Sequence, residues 1–361
     1  MYLYKGSVKN ILRKSSDTLE FEFTDDYSVF DYGKMPNSIE GKGKALADLA
    51  EFFFRKVADP DSWKNLDRTE QLQKAMAHYP GLDAELQYLS SHGLCHHFIR
   101  RTKPNALEVK EVKINRPKEV RWAGFTWYDY SKTTSQQMQL VPLEVVFRFG
   151  VTRGSSFFER ADSDYLALLG LSENLAEEKE FDFPIIEFFT KLEPKDRFVS
   201  HQEAFILSNL PEKEFIRLIQ QTILVAFMVK QQFTAAGLEL IDGKLEWSAF
   251  NSGLNSGLML VDSIGPDELR VVDPQTKIPF SKEFLRQFYR GTSWYKELLD
   301  YKLNQVDWKE HVSIPPKLPK QWAETASQMY SYLPKALLKP QSPNQISERI
   351  KECIQQTPSK A

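Results

Sequence analysis

Between Thr18 and Phe23 the chain alternates strictly: Leu19, Phe21 and Phe23 are apolar, while Thr18, Glu20 and Glu22 are polar. A period of two predicts a half-buried strand. The polar run Thr24-Asp25-Asp26-Tyr27-Ser28 ends it, and with Ile11-Leu12 upstream it predicts a small antiparallel sheet opening the chain. After Gly43 the period changes. Leu46, Leu49, Ala50, Phe53, Phe54 and Val57 recur on one helical face, and Pro60 closes the segment. A further helix fits Glu70–His78, ahead of Tyr79-Pro80-Gly81. Residues 140–148 read as a buried strand interrupted early by Pro142, with a glycine-rich turn at Gly150 and Gly154-Ser155. The longest helix is predicted over residues 212–236, with Phe215, Leu218, Ile219, Thr222, Ile223, Ala226, Val229 and Phe233 inward and Gly237 as its C-cap. Beyond it, residues 238–241, 258–261 and 269–272 read as short strands of a second sheet.

Two regions lack a decisive period. Residues 113–138 are polar and uneven, with Trp122, Phe125, Trp127, Tyr128 and Tyr130 among them. They fit a hairpin insertion, a partner surface or a loop folded against the core. After about residue 310, Pro315, Pro316, Pro319, Pro334, Pro340, Pro343 and Pro358 cut the chain into short pieces, with helices expected over residues 321–333 and Asn344–Gln355. This tail reads as a brace for the body or a contact in a homo-oligomer, and it carries no assigned chemistry.

Composition narrows the classes. The chain has 361 residues, room for two or three domains, and is 42% hydrophobic and 27% charged, as globular chains are. Its 47 basic and 49 acidic residues nearly cancel, so neither nucleic acid nor an anionic membrane is an expected partner. No run of about 18 apolar residues suggests a membrane span, and the N-terminus lacks the apolar segment of a signal peptide. Cys95 and Cys353 read as ordinary thiols in a reduced, cytoplasmic setting. His92, Cys95, His96 and His97 lie close together, but their spacing matches no zinc pattern.

Four polar clusters could carry chemistry. Gly6 allows close backbone approach, and Lys9 beside it could hold phosphate oxygens; an ordinary surface turn would look the same. The run Asp25-Asp26-Tyr27-Ser28-Val29-Phe30-Asp31, with Gly41-Lys42-Gly43 after it, could grip a small polar substrate or simply form a solvated turn. Glu246 and Asp262 sit on neighbouring strand-like runs. Face to face they would repel unless a cation such as Mg²⁺ intervened; on separate faces they would never meet. Arg270, behind the Pro266-Asp267 turn, suits a carboxylate or a ribose phosphate, or a loop-bracing ion pair.

Taken in order, these residues resemble the phosphoribosylaminoimidazole-succinocarboxamide synthase family over about residues 3–300. The markers are Leu3-Tyr4-Lys5-Gly6-Ser7-Val8-Lys9, Asp26-Tyr27-Ser28-Val29-Phe30-Asp31, Gly41-Lys42-Gly43, Val141-Pro142-Leu143-Glu144-Val145-Val146-Phe147-Arg148, Gly154-Ser155, Lys191 with Asp196, Asp242-Gly243-Lys244-Leu245-Glu246, Asp262 and Pro266-Asp267-Glu268-Leu269-Arg270. The resemblance implies an α+β, two-lobed fold. A β-rich ATP-binding lobe would span 1–145 with an insertion near 113–138, an α+β substrate and metal lobe 146–310, and a partly helical extension 311–361. It further implies that Gly6, Ser7 and Lys9 cover ATP phosphates, that Glu144 lies near the nucleotide, and that Glu246 and Asp262 hold Mg²⁺. Lys244 and Asp242 would stand at the reacting groups. Arg148, Ser155 and Arg270 would hold the ribonucleotide, with Ser28, Asp31, Lys42, Lys191, Asp196 and Asp267 on the substrate side. The chain departs from the family pattern at Ser7, where a lysine is usual, at Ser263, usually acidic, and at Lys195, usually histidine. One extra residue separates Arg148 from Gly154-Ser155, with Arg153 inside that turn.

The implied reaction joins L-aspartate to 5-amino-1-(5-phosphoribosyl)imidazole-4-carboxylate with ATP, in purine synthesis. A carboxylate is a poor acyl donor because oxide leaves badly; transfer of the ATP γ-phosphoryl group makes an acyl phosphate that the aspartate amine can attack, and charge-neutralising groups are what such a step needs. The alternatives are an ATP-dependent ligase or kinase acting on another small acceptor, and a catalytically silent nucleotide-binding scaffold.

Overall fold

In the computed structural model, which describes residues 1–131, 138–152, 155–171, 179–251, 256–304 and 308–356, the alternating strand β3 (Thr18–Phe23) lies at the middle of an antiparallel sheet. The sheet runs β1 (Tyr2–Lys5), β2 (Lys9–Arg13), β3, β5 (Ala106–Lys110), β4 (Phe98–Lys103). Leu19 and Phe23 are buried on one face. Against it lies α1 (Lys42–Ala58), whose buried residues include the predicted Leu46, Leu49, Ala50, Phe53, Phe54 and Val57. Gly43 sits where this helix meets the end of β3; a Cβ there would come within 2.6 Å of the Phe23 carbonyl oxygen. Only glycine permits that approach.

Glu20 on β3 is buried between Lys103 at 2.9 Å and Lys14 at 3.0 Å. Burial opposes its charge, but the two lysines prevail and hold the carboxyl at about 2 against an ordinary 4.5. The folded state therefore binds this proton less readily than the unfolded chain. Its stabilising contribution is complete above the ordinary value and is lost as pH falls toward 2. Thermal melts of wild type and Glu20→Gln should accordingly differ most at neutral pH and converge below pH 4.5. A constant difference across that window would show that the ion pairs contribute nothing.

The helices α2 (Pro60–Lys64), α3 (Glu70–His78) and α4 (Leu82–His92) follow α1. Residues 113–138 contain a hairpin, β6 (Lys118–Trp122) and β7 (Phe125–Asp129), closed by Ala123 and Gly124 at φ 47° and 84°. Two left-handed residues give the turn whose twist suits a two-residue hairpin. Trp122 at its tip is 68% exposed.

The second sheet runs β10 (Phe198–Val199), β9 (Lys179–Thr190), β8 (Gln139–Val151), β11 (Glu239–Asn251), β12 (Ser256–Val261), with β13 (Leu269–Val272) also paired to β11. Residues 238–241, read as a short strand, are the start of the much longer β11. Pro142 does not end β8: it lies where the β8–β11 register shifts, and its carbonyl still accepts from Lys191 N at 3.1 Å. Position 145, the expected end of the first lobe, falls inside β8. The long helix α7 (Glu212–Ala235) covers one face of this sheet, and Trp247 Nε1 donates to Thr222 Oγ1 at 3.0 Å beneath it.

Around the second sheet lie α5 (Ser163–Leu168), α6 (His201–Ser208), α8 (Glu283–Arg290), α9 (Ser293–Asn304) and α10 (Trp308–His311). The tail forms α11 (Lys320–Leu338) and α12 (Asn344–Gln355). The expected stop before Pro334 does not occur: Leu333 and Ala336 on either side are buried, and that packing carries the helix through the proline. Among the described residues, no helix is long and apolar enough to cross a membrane.

Candidate functional site

Strand alternation sorts the residues of β8 and β11 into two populations. Val145, Phe147, Leu245 and Trp247 face the core and are buried. Their neighbours form a polar stripe on the opposite face, where Asp242 pairs with Arg148, Lys244 with Val146 and Glu246 with Glu144. Asp262 joins them from the residue after β12, because Val261 pairs with Glu246. It adopts φ 66°, a left-handed conformation uncommon outside glycine but among those aspartate accepts most readily. Its carbonyl accepts a hydrogen bond from His97 Nε2 at 3.0 Å. Burial lowers His97 to about 3, so this histidine is a neutral brace.

Three lysines interleave with three carboxylates here. Lys191 Nζ lies 2.8 Å from Glu144 and 2.6 Å from Glu246. Lys244 Nζ is 2.6 Å from Glu144. Lys9, the first residue of β2 just past the β1–β2 loop, pairs with Asp262 and so closes the first sheet onto the second. That loop is tight: Gly6 N donates to the Lys9 carbonyl at 3.0 Å, and a Cβ on Gly6 would come within 2.6 Å of the same oxygen. Ser7 lies between them at its tip. Burial pushes the Glu246 carboxyl above its ordinary range, and the Asp262 charge adds to the shift. Asp262 is also buried, yet Lys9 and Lys191 hold it at about 2.

Beside this cluster, Asp242 receives Arg148 Nη1 at 2.7 Å and Arg270 Nη1 at 3.0 Å on the same oxygen. Arg148 also pairs with the fully buried Glu187. Glu187 in turn accepts from Arg160 Nε at 2.7 Å and from the Tyr165 hydroxyl at 2.9 Å. Arg270, Thr152, Ser155 and Lys179 line a cavity of 560 Å³ next to these arginines. A separate apolar patch, Leu140, Met259 and Val261 with Val112, Met138 and Leu192, lies at the β8 and β12 ends near Glu246 and Asp262.

The structure thus gathers Lys9, Glu144, Lys191, Lys244, Glu246 and Asp262, and next to them Arg148, Asp242 and Arg270. It places other expected site residues elsewhere. Ser28 and Asp31 line a depression of 770 Å³ together with Gly6, Ser7, Lys34 and Lys309. Asp196, on the exposed turn after β9, stays within electrostatic reach of the cluster: burial and then the Glu144 charge push its carboxyl up to about 6. Lys42 and Asp267 are sealed inside, paired at 2.9 Å. Arg153 and Gly154 lie outside the described residues. Sequence reasoning missed Glu187, Arg160 and Tyr165, and named nothing for the apolar patch. Glu187 had a visible signal, a lone carboxylate in the apolar run Pro184-Ile185-Ile186-Glu187-Phe188. It also missed Glu268, whose carboxyl is pushed up to about 8 by burial and then by Asp262 and Asp267.

The donor set suits a hard divalent ion. Glu246 and Asp262 supply adjoining carboxylate oxygens, and their mutual repulsion favours a shared cation. Among the described residues no set of three His, Cys, Asp or Glu converges as a metal cage. Mg²⁺ commonly takes one or two carboxylates and completes its shell with water and substrate phosphates.

A sequence profile of the SAICAR synthetase family matches residues 2–300. A protein of Archaeoglobus fulgidus assigned as a phosphoribosylaminoimidazole-succinocarboxamide synthase is 34% identical over 337 residues, covering 90% of this chain and 91% of its own. Among solved structures, the SAICAR synthase of Saccharomyces cerevisiae complexed with SAICAR superposes with a TM-score of 0.60 at 21% identity, covering 95% and 96% of the two chains. A SAICAR synthetase in complex with ADP superposes with a TM-score of 0.51 at 22% identity, covering 87% and 99%.

Proposed function

From the chain's membership of the SAICAR synthetase family, we propose that it joins L-aspartate to 5-amino-1-(5-phosphoribosyl)imidazole-4-carboxylate with cleavage of ATP to ADP and phosphate. The observation that carries this reading is the shared polar stripe of β8 and β11. A lysine–carboxylate cluster suited to phosphoryl transfer lies one pair along the strands from an arginine cluster suited to a phosphorylated substrate.

In this reading the Leu140, Met259 and Val261 patch receives the nucleobase, and ATP phosphates meet Lys9 and the backbone N–H groups of Gly6 and Ser7. Glu246 and Asp262 would hold Mg²⁺, which when bound offsets phosphate charge and keeps the terminal phosphoryl group in line. Lys244 and Lys191, held against Glu144, swing toward the transferring group as it gains charge. Arg148, Arg270 and Ser155 take the ribonucleotide phosphate. Asp242 holds the two guanidinium groups at fixed spacing, so it is a positioning residue in place of the catalytic one expected. The ribonucleotide carboxylate attacks the γ-phosphorus and ADP leaves. The aspartate amine, approaching from the Ser28 and Asp31 side, then forms the C–N bond as inorganic phosphate departs and the amine loses its proton. Holding both acceptors in one cleft supplies much of the rate. Cys95 and Cys353 are both thiols, which fits a reduced, cytoplasmic setting.

The test is ADP release with Mg²⁺, ATP, the carboxylated ribonucleotide and L-aspartate, each omitted in turn. Release that needs both acceptors, with matching succinocarboxamide, is the expected result. Release that persists without aspartate would point to a kinase on the ribonucleotide.

A further inference from the structure

Tyr330 lies on α11, beyond the residues 2–300 that match the family, yet its side chain reaches the loop joining β12 to β13. Its hydroxyl donates to Asp267 Oδ1 at 2.7 Å. The other oxygen of Asp267 is 2.9 Å from Lys42 Nζ, at the first turn of α1. Lys42 Nζ also stands 5.4 Å from the centre of the Tyr330 ring. Lys42 and Tyr330 are 0% exposed, and the Asp267 side chain is 5% exposed. Three segments far apart in sequence meet in one dry, charge-assisted contact, where each partner is costly to lose.

Burial at this depth keeps Lys42 and Asp267 off any substrate surface. What they do control is the loop. Asp262 begins it, and Arg270 is the second residue of β13 just beyond it. Between them Leu269 N donates to the Gly265 carbonyl at 2.9 Å, and Lys282 N donates to Pro266 at 3.0 Å. A turn this short has little slack, so moving Asp267 moves both ends.

We propose that Tyr330 is a positioning residue: through Asp267 and Lys42 the C-terminal extension fixes the 262–270 loop, and with it the placement of Arg270 and Asp262. This rests on the ligase reading of the same site. The extension is then part of the working enzyme.

Tyr330→Phe keeps the ring and its contact with Lys42 but removes the donor to Asp267. Ser327→Ala is the control, since Ser327 Oγ on the same helix donates to the Glu40 carbonyl at 2.7 Å, away from this loop. The expected result is a KM for the ribonucleotide raised about tenfold in Tyr330→Phe, with kcat within about threefold. Amide exchange should quicken over residues 262–270, and Ser327→Ala should change neither. An unaltered KM with unaltered exchange would overturn the proposal. So would exchange that quickens equally along α1 and α11, the mark of a merely structural tyrosine. If the wild-type protein itself released no ADP, the ligase reading would fall, and localised or unlocalised exchange would decide the positioning role alone.

Discussion

Asp262→Asn should lower kcat for ADP release by about three orders of magnitude while leaving the fold intact. The change is nearly isosteric, so the loss is one of charge. At the stripe, Lys9, Lys191 and Lys244 face Glu144, Glu246 and Asp262, three against three. An incoming Mg²⁺-bound nucleotide brings net negative charge, which the lysines can meet only by leaving their carboxylates, and those carboxylates are then free for the ion. Removing the Asp262 charge breaks this exchange at two points. On the proposed reading the ion would lose a ligand, and Lys9 would lose the partner that holds the β1–β2 loop over the second sheet. The measurement is kcat against Mg²⁺ concentration. Wild-type turnover at ordinary Mg²⁺ would remove Asp262 from the metal site.

Ending the chain at Pro319 should abolish cooperative folding. Such a truncation deletes α11 and α12, whose buried side chains include Trp322, Met329, Tyr330, Leu333, Ile350 and Cys353. Each large apolar side chain buried contributes about 1.5–3 kcal/mol. Their loss, about 9–18 kcal/mol for six such side chains, joined by the newly bared face of α1, is as large as the roughly 5–15 kcal/mol by which domains are stable at all. Lys42 and Asp267 would also lose their cover, leaving a charged pair half desolvated. The expected outcome is insoluble protein, or soluble protein without a sharp thermal transition. A truncated chain that melts cooperatively and keeps its activity would make the tail a detachable appendage.

How much of this was legible depended on where each pattern's cause lies. The strand Thr18–Phe23 and the helices Glu70–His78 and Asn344–Gln355 could be read from the chain because their own periodicity decides them. The length of β11 could not. Asp242, Gly243 and Lys244 interrupt its apolar run, and they do so because one face of the strand carries polar groups in place of packing. The tail misled for a different reason. Only its stop at Pro334 was misread: α11 runs through that proline because its packing against α1 and α12 holds the turn. At the site the charged residues were visible, but their partners were not. Lys191 bridging Glu144 to Glu246, and Glu187 gathering two arginines and a tyrosine, are contacts between strands that no local spacing encodes.

The two-faced sorting of β8 and β11 also limits how this chain can vary in length. A single residue inserted within either strand would turn the polar stripe into the core and the core residues outward, a failure of folding and of chemistry together. Additions are tolerable beyond the strand ends or where a bulge absorbs them, as at the register shift beside Pro142. The strand pair therefore behaves as a fixed reading frame, and new segments can be spliced in only at its bulges and its margins.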